Sequence, residues 1–281
     1  MNRVASSSFD AVPVEASSPL LNYQTVSAKR RGRVLEISLN RPAQLNAVNA
    51  LMHRELTRLF IDADRDEGSD VLLLRGEGRA FCAGGDIGWM QAMIDEPREF
   101  ARTAREGRQI VNTLLDCEKP IVAAVHGAAT GLGATMALLC DVIFMADDAT
   151  LSDPHVRIGL VAGDGGAVIW PQLIGYARAK EYLLTGKPVP ARDAQQMGLV
   201  NHAVAAGDLQ ARALAFAQEL ASGPQVALRG TKMAVNIGLK QLTQSVLDAS
   251  LAYEALSNLS ADHQEAVTAF REKRSPVFTG A

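Results

Sequence analysis

The chain has 281 residues, 48% of them hydrophobic, so it is long enough to bury a sizeable core as one domain or as a domain with an appendage. Its formal net charge of −3 gives no electrostatic footprint for a nucleic acid or an anionic membrane. The three cysteines, Cys82, Cys117 and Cys140, are too few and too scattered for a disulfide framework or a zinc site. We therefore expect neither a disulfide nor a metal centre.

The beginning of the chain is rich in Ser, Ala and Pro and has no apolar core of the kind that a secretory signal contains. We predict a disordered tail over residues 1–22 and a cytoplasmic protein. No apolar run in the chain is long enough to span a bilayer, so no membrane partner is expected.

The first two thirds of the chain alternate between strand-like and helix-like patterns. Val34–Leu39 alternates apolar and polar residues, which is typical of a strand, and Asn49 can cap a helix that runs to about Asp64. Further buried strands are predicted at Val71–Leu74, Pro120–Val125 and Asp141–Ala146, and further helices from about Glu96 to Cys117 and from about Gly133. This alternation predicts an α/β fold with a largely parallel sheet.

The pattern changes after residue 201. Residues 207–274 predict successive helices, with breaks near Gly223-Pro224, Gly238 and Ser257-Asn258. We therefore predict an α/β core over residues 23–206 and a C-terminal helical oligomerisation region over residues 207–281.

Two glycine-rich turns are candidate sites for an oxygen that gains negative charge during a reaction. One is Cys82–Ile87, and the other runs from Val125 to Gly133, where a helix is predicted to begin. The first N–H groups of a helix have no intrahelical partner, and they present the positive end of the helix dipole to a ligand. Together the two turns predict an oxyanion hole with two donors.

Four motifs occur in order along the chain. They are Ala83-Gly84-Gly85-Asp86-Ile87, a V-x-G-x-x-x-G-x-G pattern from Val125 that ends in Cys140-Asp141, a P-x-x-x-x-G-x-x-x-x-x-G pattern over Pro154–Gly165, and A-x-x-x-G-L-V-x over Ala194–Asn201. In this order and at this spacing they resemble the crotonase (enoyl-CoA hydratase/isomerase) superfamily, from about Val34 to Phe278. The resemblance implies an α/β spiral of repeated β-β-α turns with a C-terminal helical trimerisation region, and a homotrimer or a hexamer made of two trimers.

The resemblance also implies a reaction and a substrate. Members of the superfamily stabilise a thioester enolate with two backbone N–H groups, and the matching positions are Gly85 and Leu132. Coenzyme A would then be part of an acyl-CoA substrate, in fatty acid metabolism, and no cofactor would be permanently bound. The positions that match the family's coenzyme A site are Ala43, Leu45, Ala83, Gly85, Ile87, Phe270 and Lys273.

The chain departs from the family at both catalytic glutamates. Thr135 stands where typical hydratases carry one of them, and His155 stands at the other, after Pro154. The two-glutamate hydration mechanism therefore cannot be carried over to this chain. The candidate catalytic residues are instead His155, Asp164 and Thr135.

His155 is the best available general acid or base, because the ordinary pKa of histidine lies near neutrality. Asp164, nine residues later, could hold the imidazole and stabilise its cation. A His–Asp pair at these positions resembles superfamily members that hydrolyse β-diketones by C–C cleavage.

Three functions follow. The first is a lyase-type enzyme that is similar to enoyl-CoA hydratases, acts on an acyl-CoA and has altered acid–base residues. The second is a β-diketone hydrolase that uses His155 and Asp164 and needs no coenzyme A. The third is a non-catalytic protein that binds coenzyme A or serves as a scaffold, against which the two intact glycine turns argue.

Overall fold

The chain folds into a mixed α/β structure with a helical C-terminal region. A computed structural model describes residues 11–15 and 18–281. Within these residues the strands are β1 Val12–Pro13, β2 Val26–Arg31, β3 Val34–Leu39, β4 Val71–Gly76, β5 Ile121–Val125, β6 Ala128–Thr130, β7 Val142–Ala146, β8 Thr150–Ser152, β9 Val189–Pro190 and β10 His202–Val204. The helices are α1 Ala50–Asp64, α2 Ile87–Asp95, α3 Pro97–Asp116, α4 Leu132–Leu138, α5 Gly166–Ile174, α6 Tyr176–Thr185, α7 Ala191–Gln196, α8 Leu209–Ala221, α9 Gln225–Asn258 and α10 Ala261–Glu272.

The strands form two sheets. The larger has the order β1-β2-β3-β4-β5-β7-β10, antiparallel from β1 to β3 and parallel from β3 to β10. The smaller sheet has the order β6-β8-β9. A strand of the large sheet, a short strand of the small sheet and a helix follow one another along the chain, as β5, β6 and α4 do. This arrangement confirms the predicted spiral of β-β-α turns.

The elements that the sequence patterns predicted are largely in place. Asn49 caps α1, because its side-chain oxygen accepts a hydrogen bond from the Met52 N–H at 2.9 Å, and α1 ends at Asp64. All five residues of β5 are buried, as expected for a parallel strand with both faces covered.

Helix α8 covers one face of the large sheet. Its Ala213 and Ala217 are fully buried, and the ring of Phe216 lies 5.6 Å from that of Phe144 in β7. The residues after position 207 therefore contribute to the core before they form the long helix α9.

Two expectations need correction. The break predicted at Gly238 is wrong, since α9 continues through it for 34 residues; a glycine inside a helix costs only about 1 kcal/mol relative to alanine, which the rest of a long helix offsets. The tail predicted over residues 1–22 lies partly outside the described residues. Its described part is not a free tail, because Val12–Pro13 pairs with β2 and the side chains of Val14 and Leu20 are buried.

Among the described residues, no helix combines the length and the apolar character that crossing a membrane requires.

Candidate active site

A cavity of about 290 Å³ brings together most of the predicted site residues. Its wall is formed by the turn over residues 83–87, the start of α4, the segment over residues 154–164 and the facing sides of α2, α3, α9 and α10. Most of the lining side chains are apolar, and the charged groups gather at one end. Apolar cavities with a few converging polar groups are typical of small-molecule sites.

The two predicted oxyanion donors, Gly85 and Leu132, both line this cavity. Val48 donates its N–H to the Gly84 carbonyl at 2.7 Å and accepts from the Asp86 N–H at 2.9 Å, so the N–H of Gly85 between them points away from Val48. Leu132 is the first residue of α4, where an N–H has no intrahelical acceptor. Both N–H groups are thus available to a ligand oxygen.

Glycines beside Leu132 let two segments approach closely. A Cβ at Gly133 would lie 2.6 Å from Cβ of Cys82 and 2.8 Å from its carbonyl oxygen, which no real side chain tolerates. Gly131 caps α4 with a φ of 54°, a conformation that glycine adopts at little cost. These two residues therefore fix the start of α4 against the turn that carries Gly85.

His155 lies at the charged end of the cavity, on a single turn of 3-10 helix that follows Pro154. Its Nδ1 donates to Oδ1 of Asp153 at 2.5 Å, and its Nε2 lies 3.6 Å from Oδ2 of Asp164. The predicted His155–Asp164 pair is therefore present as an ion pair. Asp153, which the sequence did not single out, is the residue that holds Nδ1 of the ring.

The two aspartates control the charge of the imidazole. Burial opposes the charged form of His155, but the charges of Asp153 and Asp164 and the hydrogen bond to Asp153 outweigh it and raise its pKa well above the ordinary value. The ring is therefore an imidazolium at neutral pH. Burial, together with the charge of Asp153, also raises the pKa of Asp164, although the charge of His155 opposes this. Asp164 is thus a better proton acceptor than an exposed aspartate.

Thr135 lies behind this group and does not line the cavity. It is 1% exposed in α4, and its Oγ1 donates to Oδ1 of Asp164 at 3.5 Å. The predicted catalytic position 135 therefore contacts the carboxylate of Asp164 and not the cavity itself.

Glu254 of α9 is a cavity residue that sequence reasoning missed. It is 7% exposed, and its Oε2 has no hydrogen-bond partner within the described part of the chain. Burial, with repulsion from Asp164 and Asp153, raises its pKa to about 8. Its carboxyl group is therefore mostly neutral at pH 7. Nothing in the sequence distinguishes this glutamate from the solvated ones on a long helix.

His53 of α1 is a second missed residue of the cavity wall. It is 3% exposed, its Nδ1 bonds Oε2 of Glu106 at 2.8 Å, and its ring lies 5.0 Å from that of Trp89. A polar residue on the buried face of the predicted helix was the available signal.

The positions assigned to coenzyme A fall into two groups. Ala83, Gly85, Ile87 and Phe270 line the cavity. Ala43, Leu45 and Lys273 do not, and Ala43 and Lys273 are exposed to solvent.

The aspartates and the histidine also have the composition of a small cation site. One ligand atom each from Asp153, His155 and Asp164 lie within 4.8 Å of one another. The imidazolium compensates one of the two carboxylate charges, so the cluster keeps a net negative charge when both aspartates are ionised.

The comparison with protein families decides the relationship of this chain. The family model described as enoyl-CoA hydratase/isomerase matches residues 29–281.

The chain belongs to the enoyl-CoA hydratase/isomerase family.

This confirms the resemblance to the crotonase superfamily. A probable enoyl-CoA hydratase of Rhodobacter capsulatus is 36% identical over 261 residues, which are 92% of this chain and 100% of that protein. The crystal structure of an enoyl-CoA hydratase/isomerase from Mycobacterium paratuberculosis has a TM-score of 0.84 and 39% identity over 87% of this chain and 97% of its own. The structure of a β-diketone hydrolase from the cyanobacterium Anabaena, bound to (S)-3-oxocyclohexyl acetic acid, has a TM-score of 0.79 and 30% identity over 85% of this chain and 96% of its own.

Proposed function

We propose that this member of the family hydrolyses a C–C bond between the two carbonyl groups of a β-diketone. The observation that supports the proposal is the histidine in the cavity, held at Nδ1 by Asp153 and facing Asp164 at 3.6 Å with Nε2. A typical hydratase uses two glutamates for acid–base catalysis. This chain lacks both, and these three residues are the acid–base groups in their place. The 30% identity to a β-diketone hydrolase over most of both chains adds to it.

In this reaction Asp164 and His155 transfer protons, and Asp153 holds the imidazole of His155. The Asp164 carboxylate takes a proton from a water molecule while the oxygen of that water attacks one carbonyl carbon. The C–C bond to the carbon between the carbonyls then breaks, and its electron pair forms an enolate on the second carbonyl. The His155 imidazolium gives a proton to the enolate carbon, and Asp164 returns its proton to His155. The products are a carboxylic acid and a ketone.

The N–H groups of Gly85 and Leu132 hold the enolate oxygen in this scheme. Preorganised donors of this kind contribute most where charge develops in the transition state. A neutral Glu254 suits the same step, because it adds no third negative charge beside the enolate.

A second candidate is conversion of an acyl-CoA thioester. The presence of Phe270 in the cavity wall favours it, because this position matches the family's coenzyme A site. The same two N–H groups would hold the thioester oxygen. The resemblance to the family also predicts a homotrimer, and this stays a prediction. Exposed apolar side chains of α9 would lie at its interfaces, among them Val226, Val235 and Leu256.

Two assays test the proposal. One measures cleavage of cyclic β-diketones in water labelled with a heavy oxygen isotope, and the other measures hydration of crotonyl-CoA. We expect one heavy oxygen in the acid product, and a loss of kcat by two to four decades in His155→Ala, the range for a general catalyst. His126→Ala is the matched control, because the ring of His126 bonds the Gly78 carbonyl and does not line the cavity. Hydration of crotonyl-CoA without diketone cleavage would replace the first candidate with the second.

A further inference from the structure

Helix α3 presents one face to the cavity. Phe100, Thr103, Ala104 and Gly107 all line it, at the spacing i, i+3, i+4, i+7 that places residues on one side of a helix. The side chains become short after Phe100, and the last position has none. The wall of the cavity is therefore recessed along this part of α3.

Gly107 is the unusual member of this face. It is buried in the interior of a helix of 20 residues, where glycine is less favourable than alanine. Packing does not demand it: a Cβ at this position would meet only Cδ2 of Leu251, at 3.8 Å, which is an ordinary contact. Gly133 is different, since its neighbours leave no room for a Cβ.

Gly107 is buried and lines the cavity, and neither the backbone nor its neighbours require a glycine there, so the missing side chain leaves space within the cavity. Leu251 of α9 faces Gly107 across the recess and lines the cavity with it, as does Met93 of α2. These two side chains are apolar, and Glu254 lies one helical turn beyond Leu251 on α9, so this part of the wall adjoins the charged end of the cavity.

We infer that Gly107 sets the width of a subsite for a bulky, ring-shaped apolar group of the substrate. The α3 subsite consists of Thr103, Ala104, Gly107 and Leu251. A flexible linear chain needs only a narrow channel, whereas a ring fills a lateral recess and buries apolar surface on both sides of it. The inference deepens the proposed function by naming the substrate class, a β-diketone or related carbonyl compound that carries a ring.

Binding of unreactive ketones tests the subsite without any turnover. Adamantanone is the bulky probe and butanone the small one, and calorimetry measures both with the wild type, Gly107→Ala and Gly107→Leu. Gly238→Ala is the matched control. Gly238 is also a helical glycine with open space around it, but it lies on α9 at a position that does not line the cavity.

We expect Gly107→Ala to weaken adamantanone binding about tenfold and Gly107→Leu about a hundredfold, the range for single carbon groups in an apolar pocket. Butanone affinity should stay within about twofold in both, and Gly238→Ala should change neither. Both alanine variants should show a higher Tm than the wild type, which establishes that Gly107→Ala is folded.

Three results would overturn the inference: no binding of adamantanone by the wild type, unchanged adamantanone binding in Gly107→Leu, or equal loss of both ketones. Failure of the proposed function is a separate outcome. If ketone binding follows the expected pattern but no β-diketone is cleaved, the subsite stands and the hydrolase assignment falls.

Discussion

Replacing Glu254 by glutamine should remove a pH-dependent penalty from the folded state. Burial and the nearby carboxylates Asp164 and Asp153 raise the pKa of Glu254 from 4.5 to about 8. The folded protein therefore binds this proton more tightly than the unfolded chain does. The stability that the proton gives is complete below the unfolded pKa of 4.5 and is lost as the pH rises to about 8.

The shift sets the size of the effect. At about 1.4 kcal/mol per pKa unit, Glu254 removes at most about 5 kcal/mol of unfolding free energy between these two pH values. Glu254→Gln has no proton to lose, so its stability relative to the wild type should rise across this window and level off above it. Near pH 5 the two proteins should differ by roughly 1 kcal/mol or less on this account.

Urea unfolding at a series of pH values and one fixed protein concentration measures the difference. Asp248→Asn is the control, because Asp248 is an exposed carboxylate on the same helix, paired with Arg108 at 3.0 Å. Its difference from the wild type should hardly depend on pH. A difference between Glu254→Gln and the wild type that stays constant within about 0.5 kcal/mol from about pH 5 to about pH 9 would refute the reasoning.

Two further substitutions test the assigned roles by activity. Leu132→Pro removes the backbone N–H of one proposed oxyanion donor, at the first position of a helix, where proline is tolerated, and should lower kcat by about two to three decades. Leu132→Ala keeps this N–H and should retain most activity. An equal loss of activity in the two variants would contradict the donor role. Asp153→Asn should lower kcat by up to about four decades. It should also move the alkaline limb of the pH profile to lower pH, since the pKa of His155 loses one of the charges that raise it; an unmoved limb would show that Asp153 does not act through His155.

Local patterns predicted the parts of the fold that local physics decides. The Asn49 cap and the apolar spacing after it defined α1 at both ends, and the continuous apolar run at Val71 marked β4. The break predicted at Gly238 was wrong, because a glycine inside a long helix lowers its stability by only about 1 kcal/mol relative to alanine. The short strands of the second sheet were missed, since two or three residues show no measurable period.

The site was predictable where a motif carries it and not where packing does. Gly85, Leu132 and His155 lie in motifs, and the structure places all three in one cavity. Glu254 reaches it from a helix about a hundred residues further along the chain, and nothing in its local sequence reports that its carboxyl group loses contact with water. Burial and partners, rather than residue type, give a carboxyl group a function of this kind.

The short hydroxyl side chain at position 135 suits the neighbouring carboxylate of Asp164. Thr135 is fully enclosed, donates to Asp164, and lies where even a Cβ at Gly165 would approach its Cγ2 to 2.6 Å. A glutamate there would bring a second buried carboxylate onto Asp164, and two like charges at that distance cannot both stay ionised. A chain that keeps Asp164 as a proton acceptor therefore favours a short hydroxyl donor at 135. We propose that Asp164 takes over the proton transfer for which a typical hydratase uses the glutamate at position 135, so the absence of the usual glutamates does not by itself indicate an inactive protein.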